Sequence, residues 1–287
     1  MIPAEFDYHA PTTVADAVRL LGELGPDARP LAGGHSLLPM MKLRFAQPAH
    51  LVDLNRIDAL RGIREEDGAI VIGAMTVEND LIGSAVLERR VPLLAEAARQ
   101  IGDPQVRNRG TIGGDLAHGD PANDHPAIAI ALDATLVLAG PQGTRAIAAE
   151  DFFLGPFATA MSDGELLVEI RVPAPAPGTG YAYEKLKRKT GDWATAAAAV
   201  VLRLEGGVVS TARIALTNVA PTPLRARDAE AALIGKVPDE AAIGAAAQAA
   251  MAICDPGEDL RGDRAYKTAM AGEMLRRALR RACERCA

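Results

Sequence analysis

The chain reads as an α+β protein in three parts, two glycine-loop lobes followed by an antiparallel sheet with helices. Three observations lead there. Two glycine-rich segments, Ala32-Gly33-Gly34-His35-Ser36 and Thr111-Ile112-Gly113-Gly114-Asp115, each sit among short strand-like and helical runs. A proline- and glycine-rich stretch between Val172 and Gly180 has the composition of a linker. Beyond it, strand-like runs around a Gly206-Gly207 turn give way to alanine-rich segments of helical period.

In chain order, Thr12 or Thr13 can cap a helix whose Val14, Ala17, Val18 and Leu21 follow the i, i+3, i+4, i+7 rule and which ends between Gly22 and Gly25. Residues 29–32 form a strand into the first glycine loop, 37 onward a short turn or helix, and 50–54 a second strand, giving a small βαβ-like lobe over 1–55. A second lobe, 56–175, opens with a strand from Ala69 and continues with helices over 77–87 and from Pro92. It reaches the second glycine loop at a helix-to-sheet transition, and strands over 132–138 and 165–172 close it. The third part, 176–287, holds strands 181–186, 195–204 and 209–216. The last two are joined by the Glu205-Gly206-Gly207-Val208 hairpin, so a three-stranded antiparallel sheet is expected. Helices over 225–234, 238–252 and 263–281 complete it.

Composition excludes several classes. A net charge of −6 leaves no electrostatic footprint for nucleic acid, and 3% aromatic residues leave few rings to stack on bases. No run approaches the eighteen or so apolar residues of a membrane span, and the N-terminus lacks a basic and apolar leader, so a cytoplasmic protein that is not integral to the membrane is expected. Three cysteines, Cys254, Cys283 and Cys286, suit a reducing compartment better than a disulfide framework. Cys283 and Cys286 have no second pair to complete a zinc or iron–sulfur site.

The glycine segments carry the chemistry. Glycine allows positive φ and close backbone approach, and successive N–H groups then form an anion-binding concavity. Two such segments suggest a diphosphate gripped from both sides, with Ser36 and Thr111 adding hydroxyl donors. Neither the Walker, the Rossmann nor the hydrolase-elbow spacing occurs. His118, Asp120, Asp124 and His125 have metal-ligating side chains, but their loose spacing matches no ligand pattern, and no metal is expected. Arg107 and Arg109 offer forked donors that suit a phosphate or a carboxylate.

Taken together, AGGHSLLPMMKLR, QVRNRGTIGGDLAHGDPANDHPAIAIALDA and YEKLKRKTGDWATAAAAV resemble the FAD-binding medium subunits of the molybdenum hydroxylases, above all those of the aerobic carbon monoxide dehydrogenase type, over essentially the whole chain. The resemblance implies a two-lobed FAD-binding fold of the vanillyl-alcohol-oxidase type plus the C-terminal α+β domain. It implies that Ala32, Gly33, Gly34, His35 and Ser36 with Thr111, Ile112, Gly113, Gly114 and Asp115 hold the cofactor, Ile112 lying near the isoalloxazine. It adds Asp124 toward the ribityl or ribose hydroxyls, Leu167 and Lys187 near the flavin, and Trp193, the only tryptophan, covering one ring face. Medium subunits of this kind hold FAD non-covalently, so no bond through His35 is expected.

What the resemblance implies for function is an electron-transfer subunit with no catalytic residue of its own. Substrate is oxidised at a molybdenum cofactor on a large subunit. Electrons cross two [2Fe-2S] clusters on a small subunit, reach FAD here and leave to an external acceptor. The implied assembly is two-fold, a heterohexamer, located in the cytoplasm or, through the complex, at the inner face of the cytoplasmic membrane. Rival readings are a self-sufficient FAD-dependent oxidase or reductase, the flavoprotein of an aldehyde or N-heterocycle dehydrogenase, and an interaction subunit whose glycine pairs are only turns.

Overall fold

The computed structural model describes residues 1–286. Strands Asp7–His9 and Ala28–Leu31 both pair in parallel with His50–Asp53, which lies between them. The link between the first two is the helix Val14–Leu24, whose Ala17, Val18 and Leu21 are the buried face. Of the two candidate caps it is Thr13 that accepts from the Asp16 amide, at 3.1 Å, and Gly25 ends the helix at φ +63°.

The second sheet has five strands in the order Ile63–Glu66, Ala69–Gly73, Leu166–Pro173, Thr135–Gly140 and Gly143–Ala148, every neighbouring pair antiparallel. Between its second and fourth strands the chain leaves for a run of helices that pack Leu81, Leu87, Leu93, Leu94, Ile112 and Ile128 into one core with Ile70, Ile72 and Ile170. The helix expected over 77–87 is split into Glu78–Gly83 and Ala85–Arg90, because Ser84 takes an extended conformation and caps the second piece through the Leu87 amide at 3.2 Å.

Residues 174–178 cross to a four-stranded sheet. The three expected strands, Thr179–Leu186, Ala196–Glu205 and Val208–Thr217, gain a two-residue edge strand, Leu224–Arg225. Gly206 and Gly207 turn the hairpin with φ +59° and +83°, as a two-residue turn of the primed kind demands. All of Ala196 to Val200 is buried. Their side chains alternate between two cores. Ala197 and Ala199 face the second lobe, whereas Ala196, Ala198 and Val200 face the helices Glu240–Ala252 and Arg264–Glu284. Alanine keeps this strand thin enough to be covered closely on both sides. Gly180 does the same one strand away, where a Cβ would run into the carbonyl of Ala282. No helix among the described residues is long and apolar enough to cross a membrane.

Candidate functional site

The three parts meet around a cleft of about 570 Å³, a size usual for cofactor sites. Twelve of the fourteen expected site residues line it: Ala32 to Ser36, Thr111, Gly113, Gly114, Asp115, Asp124, Leu167 and Trp193. Ile112 and Lys187 do not. Ile112 turns into the core of the second lobe and is 1% exposed. Lys187 donates to the Gln100 carbonyl at 3.0 Å.

The strand Ala28–Leu31 delivers the first glycine segment to the cleft. Gly34 is left-handed, at φ +78°. Among the described residues, the amides of Gly33, Gly34, His35 and Ser36 donate to no protein group, so four consecutive donors are free for a ligand. His35 folds back, its Nδ1 3.2 Å from the Gly33 carbonyl oxygen. A Cβ on Gly33 would collide with the Arg109 carbonyl, so this glycine is what lets the first segment lie against the second.

The second segment differs from the loop expected. Thr111 is the N-cap of the helix Ile112–His118, its hydroxyl accepting from the Gly114 amide at 3.1 Å. Three further amides are engaged as well: Ile112 donates to the Thr76 carbonyl, Gly113 to that of Ala74 at 2.9 Å, and Asp115 to that of Thr111, while the Thr111 amide donates to no protein group among the described residues. A row of unbonded backbone donors is therefore presented by the first segment, and a single one, Thr111, by the second. The second pair of glycines serves packing, since a Cβ on Gly113 would sit on Ala74 and one on Gly114 against the Thr111 hydroxyl.

Beneath these segments lies a set of buried charges. Lys185 Nζ is 2.7 Å from Asp124, with 2% and 6% of the two side chains exposed. The Tyr183 hydroxyl also donates to Asp124, and burial beside that carboxylate raises it well above the ordinary phenol range. His125 Nε2 meets both oxygens of Glu78, at 2.9 and 3.0 Å. Burial alone would lower the imidazole, but the Glu78 charge and hydrogen bond outweigh it and push it up to about 9. Burial raises Asp115 to about 7, with the neighbouring carboxylates adding to it, and its Oδ2 is buried without a partner. Glu78, Tyr183, His125 and Lys185 were not among the expected site residues. Lys185 and Tyr183 share one face of the strand Thr179–Leu186, but no local signal marks Lys185 as the enclosed lysine of its run.

Trp193 stands half exposed at the cleft wall, held by what precedes it. Buried Asp192 accepts from the Trp193 amide at 2.9 Å and pairs with Arg261 at 2.7 Å and Arg188 at 3.1 Å. Those hydrogen bonds, Arg261 foremost, hold its carboxyl down at about 2. The Arg261 guanidinium also lies 5.7 Å from the indole centroid, within cation–π range. Arg107 and Arg109 are directed to the Ile101 carbonyl at 3.0 Å and to Asn55 at 3.3 Å. The His118 ring packs on Phe157, 5.1 Å between centroids. Cys283 and Cys286 pack on the C-terminal core, and burial pushes the Cys283 thiol up to about 11, away from thiolate chemistry.

Residues 4–175 match the family described as the FAD binding domain in molybdopterin dehydrogenase, and residues 181–282 the CO dehydrogenase flavoprotein C-terminal domain. The chain is 66% identical to the carbon monoxide dehydrogenase medium chain of Hydrogenophaga pseudoflava over the full length of both, and 56% identical to that of Afipia carboxidovorans over 98% of each. A solved structure of the Hydrogenophaga pseudoflava enzyme superposes with a TM-score of 0.99 at 68% identity, covering all of both chains. Quinoline 2-oxidoreductase from Pseudomonas putida matches with a TM-score of 0.95 at 34% identity, over 99% of each chain. The chain belongs to the FAD-binding subunits of the molybdopterin dehydrogenases and carries the C-terminal domain of the CO dehydrogenase flavoproteins.

Proposed function

We propose that the chain is the flavoprotein subunit of a molybdenum-dependent carbon monoxide dehydrogenase. It receives electrons from [2Fe-2S] clusters of a small partner, which draws them from a molybdenum-containing large partner, and passes them to an external acceptor. The observation that carries this reading is the row of four unbonded amides, Gly33 to Ser36, at a cleft in a chain 66% identical throughout to a carbon monoxide dehydrogenase medium chain.

The residues present fit FAD. The four amides, curled by left-handed Gly34, suit a diphosphate and need no lysine. Asp124 offers an acceptor for sugar or ribityl hydroxyls, and Leu54, Met75, Leu167 and Trp193 give apolar and aromatic wall for a ring. A bound FAD supplies the uptake and release of electrons. The chain's own residues orient the ring, exclude water from it and set the charge around it through the Lys185–Asp124 and His125–Glu78 pairs. None of them acts on carbon monoxide. Work in the cytoplasm, or at the inner membrane face through the complex, belongs to this reading.

The test is reconstitution. Chain stripped of cofactor takes up FAD reversibly, and acid precipitation leaves the yellow colour in solution. Dye reduction by carbon monoxide appears only when the large and small partners are added. Turnover by the single chain, or failure to bind FAD, overturns the proposal.

A further inference from the structure

Four largely enclosed carboxylates line the cleft, Glu78, Asp115, Asp124 and Asp192, and cations answer three of them, Arg261 holding Asp192 at 2.7 Å. His125 holds Glu78 at 2.9 Å and Lys185 holds Asp124 at 2.7 Å. Asp115 is left over. Its Oδ2 is enclosed and meets no hydrogen-bond partner among the described residues, and the charges that act on it are His125, already engaged by Glu78, and the carboxylates of Glu78, Asp124 and Asp120. Glu78 comes from the helix Glu78–Gly83, Asp120, Asp124 and His125 from the turn and helix that follow, and Tyr183 and Lys185 from the strand Thr179–Leu186. On its own helix, His118 is a weak counter-charge, because burial lowers its proton affinity. An anionic ligand seated on the amides of Gly33 to Ser36 brings more negative charge to a cleft that already holds one carboxylate too many. Ala32, in the same segment, is the neighbour that a Cβ on Gly114 would touch at 3.4 Å, so the two segments are in contact.

We propose that Asp115 is a proton-accepting residue of the cofactor site: it is neutral when FAD is bound, and seating the diphosphate draws a proton from solvent onto its carboxyl wherever that carboxyl was ionised. This rests on the reading that the cleft holds FAD, and it goes further by making cofactor affinity a function of pH. No bond forms other than the O–H of the acid, and no electrons move. With the free carboxyl titrating at about 7, the sign is fixed by linkage. The bound state holds more protons, so affinity falls as pH rises above that value, approaching about tenfold per pH unit. In the cell such a site loads FAD most tightly on the acid side of neutrality.

The experiment is calorimetric titration of cofactor-free full-length chain with FAD, repeated in two buffers of different ionisation enthalpy, at pH 6, 7 and 8. Expected is an uptake of about half a proton per FAD at pH 7, rising toward one at pH 8 and vanishing at pH 6. Asp115→Asn, the same shape without the titrating oxygen, binds FAD with no uptake and with affinity flat across this range. FAD binding to the wild type without uptake overturns the inference and leaves the FAD reading intact. Uptake that persists in Asp115→Asn assigns the proton to another group and also overturns it. Absence of any FAD binding overturns both.

Discussion

At the scale of single residues, the charges under the cleft are organised in pairs whose members depend on each other. Glu78→Gln leaves His125 buried without its counter-charge, and loss of one partner of such a pair costs about 3–5 kcal/mol; urea unfolding at pH 7 measures it. The pH dependence follows from the raised imidazole. Its contribution to stability is complete below its ordinary value near 6.5 and is lost as pH rises through about 9, so the gap between wild type and Glu78→Gln narrows across that interval and is smallest above it. These residues also mark where the sequence stopped being informative. Ala32 to Ser36 were legible because glycine pairs announce special backbone, whereas Glu78 and His125 are 47 positions apart and Asp124 and Lys185 are 61 apart. Nothing local tells an enclosed lysine from a solvated one in a run such as KLKRK. Ile112 shows the reverse: it belongs to the motif, but the helical turn that starts at Thr111 packs its side chain into the core rather than along the cleft.

At the scale of elements, the alanine run of the central C-terminal strand shows how composition becomes architecture. A strand with residues this small is of little use at a surface, yet between two cores it allows close packing on each face. Gly180→Ala tests the same economy of space on the neighbouring strand. The added methyl meets the Ala282 carbonyl and forces the last helix outward, an overpacking defect of about 1–3 kcal/mol read as a lower urea midpoint with FAD affinity little changed. Strands and helices of this region were readable from period and turn residues. The edge strand Leu224–Arg225 was not, because two residues following Pro221 and Pro223 carry no period at all. The break at Ser84 was likewise hidden, since apolar spacing runs on through a serine whose capping role only the fold reveals.

At the scale of the whole molecule, the cleft draws its walls from the three larger sheets, so a ligand there ties them together. FAD at about a hundred times its dissociation constant adds about 2.7 kcal/mol to unfolding and raises the melting temperature by several degrees. Calorimetry is expected to show one transition moving as a unit; a split, with only part of the heat shifting, would show that the C-terminal sheet unfolds apart from the lobes. The overall α+β layout was accessible from the sequence because each part carries its own periodicity and turn signals. How the parts close on one another was not, for it rests on backbone contacts such as Gly33 against Arg109 and Gly113 against Ala74.

The lone tryptophan gives the protein an optical reporter of its own. Trp193 stands at the wall of the cleft, half exposed and anchored by Asp192 and Arg261, with no other indole in the chain to obscure it. All of the indole emission therefore originates beside the ligand site, and a flavin arriving there absorbs at the wavelengths it emits. Cofactor loading and escape can be followed in real time as quenching and recovery of the unmodified protein's fluorescence, with no label attached.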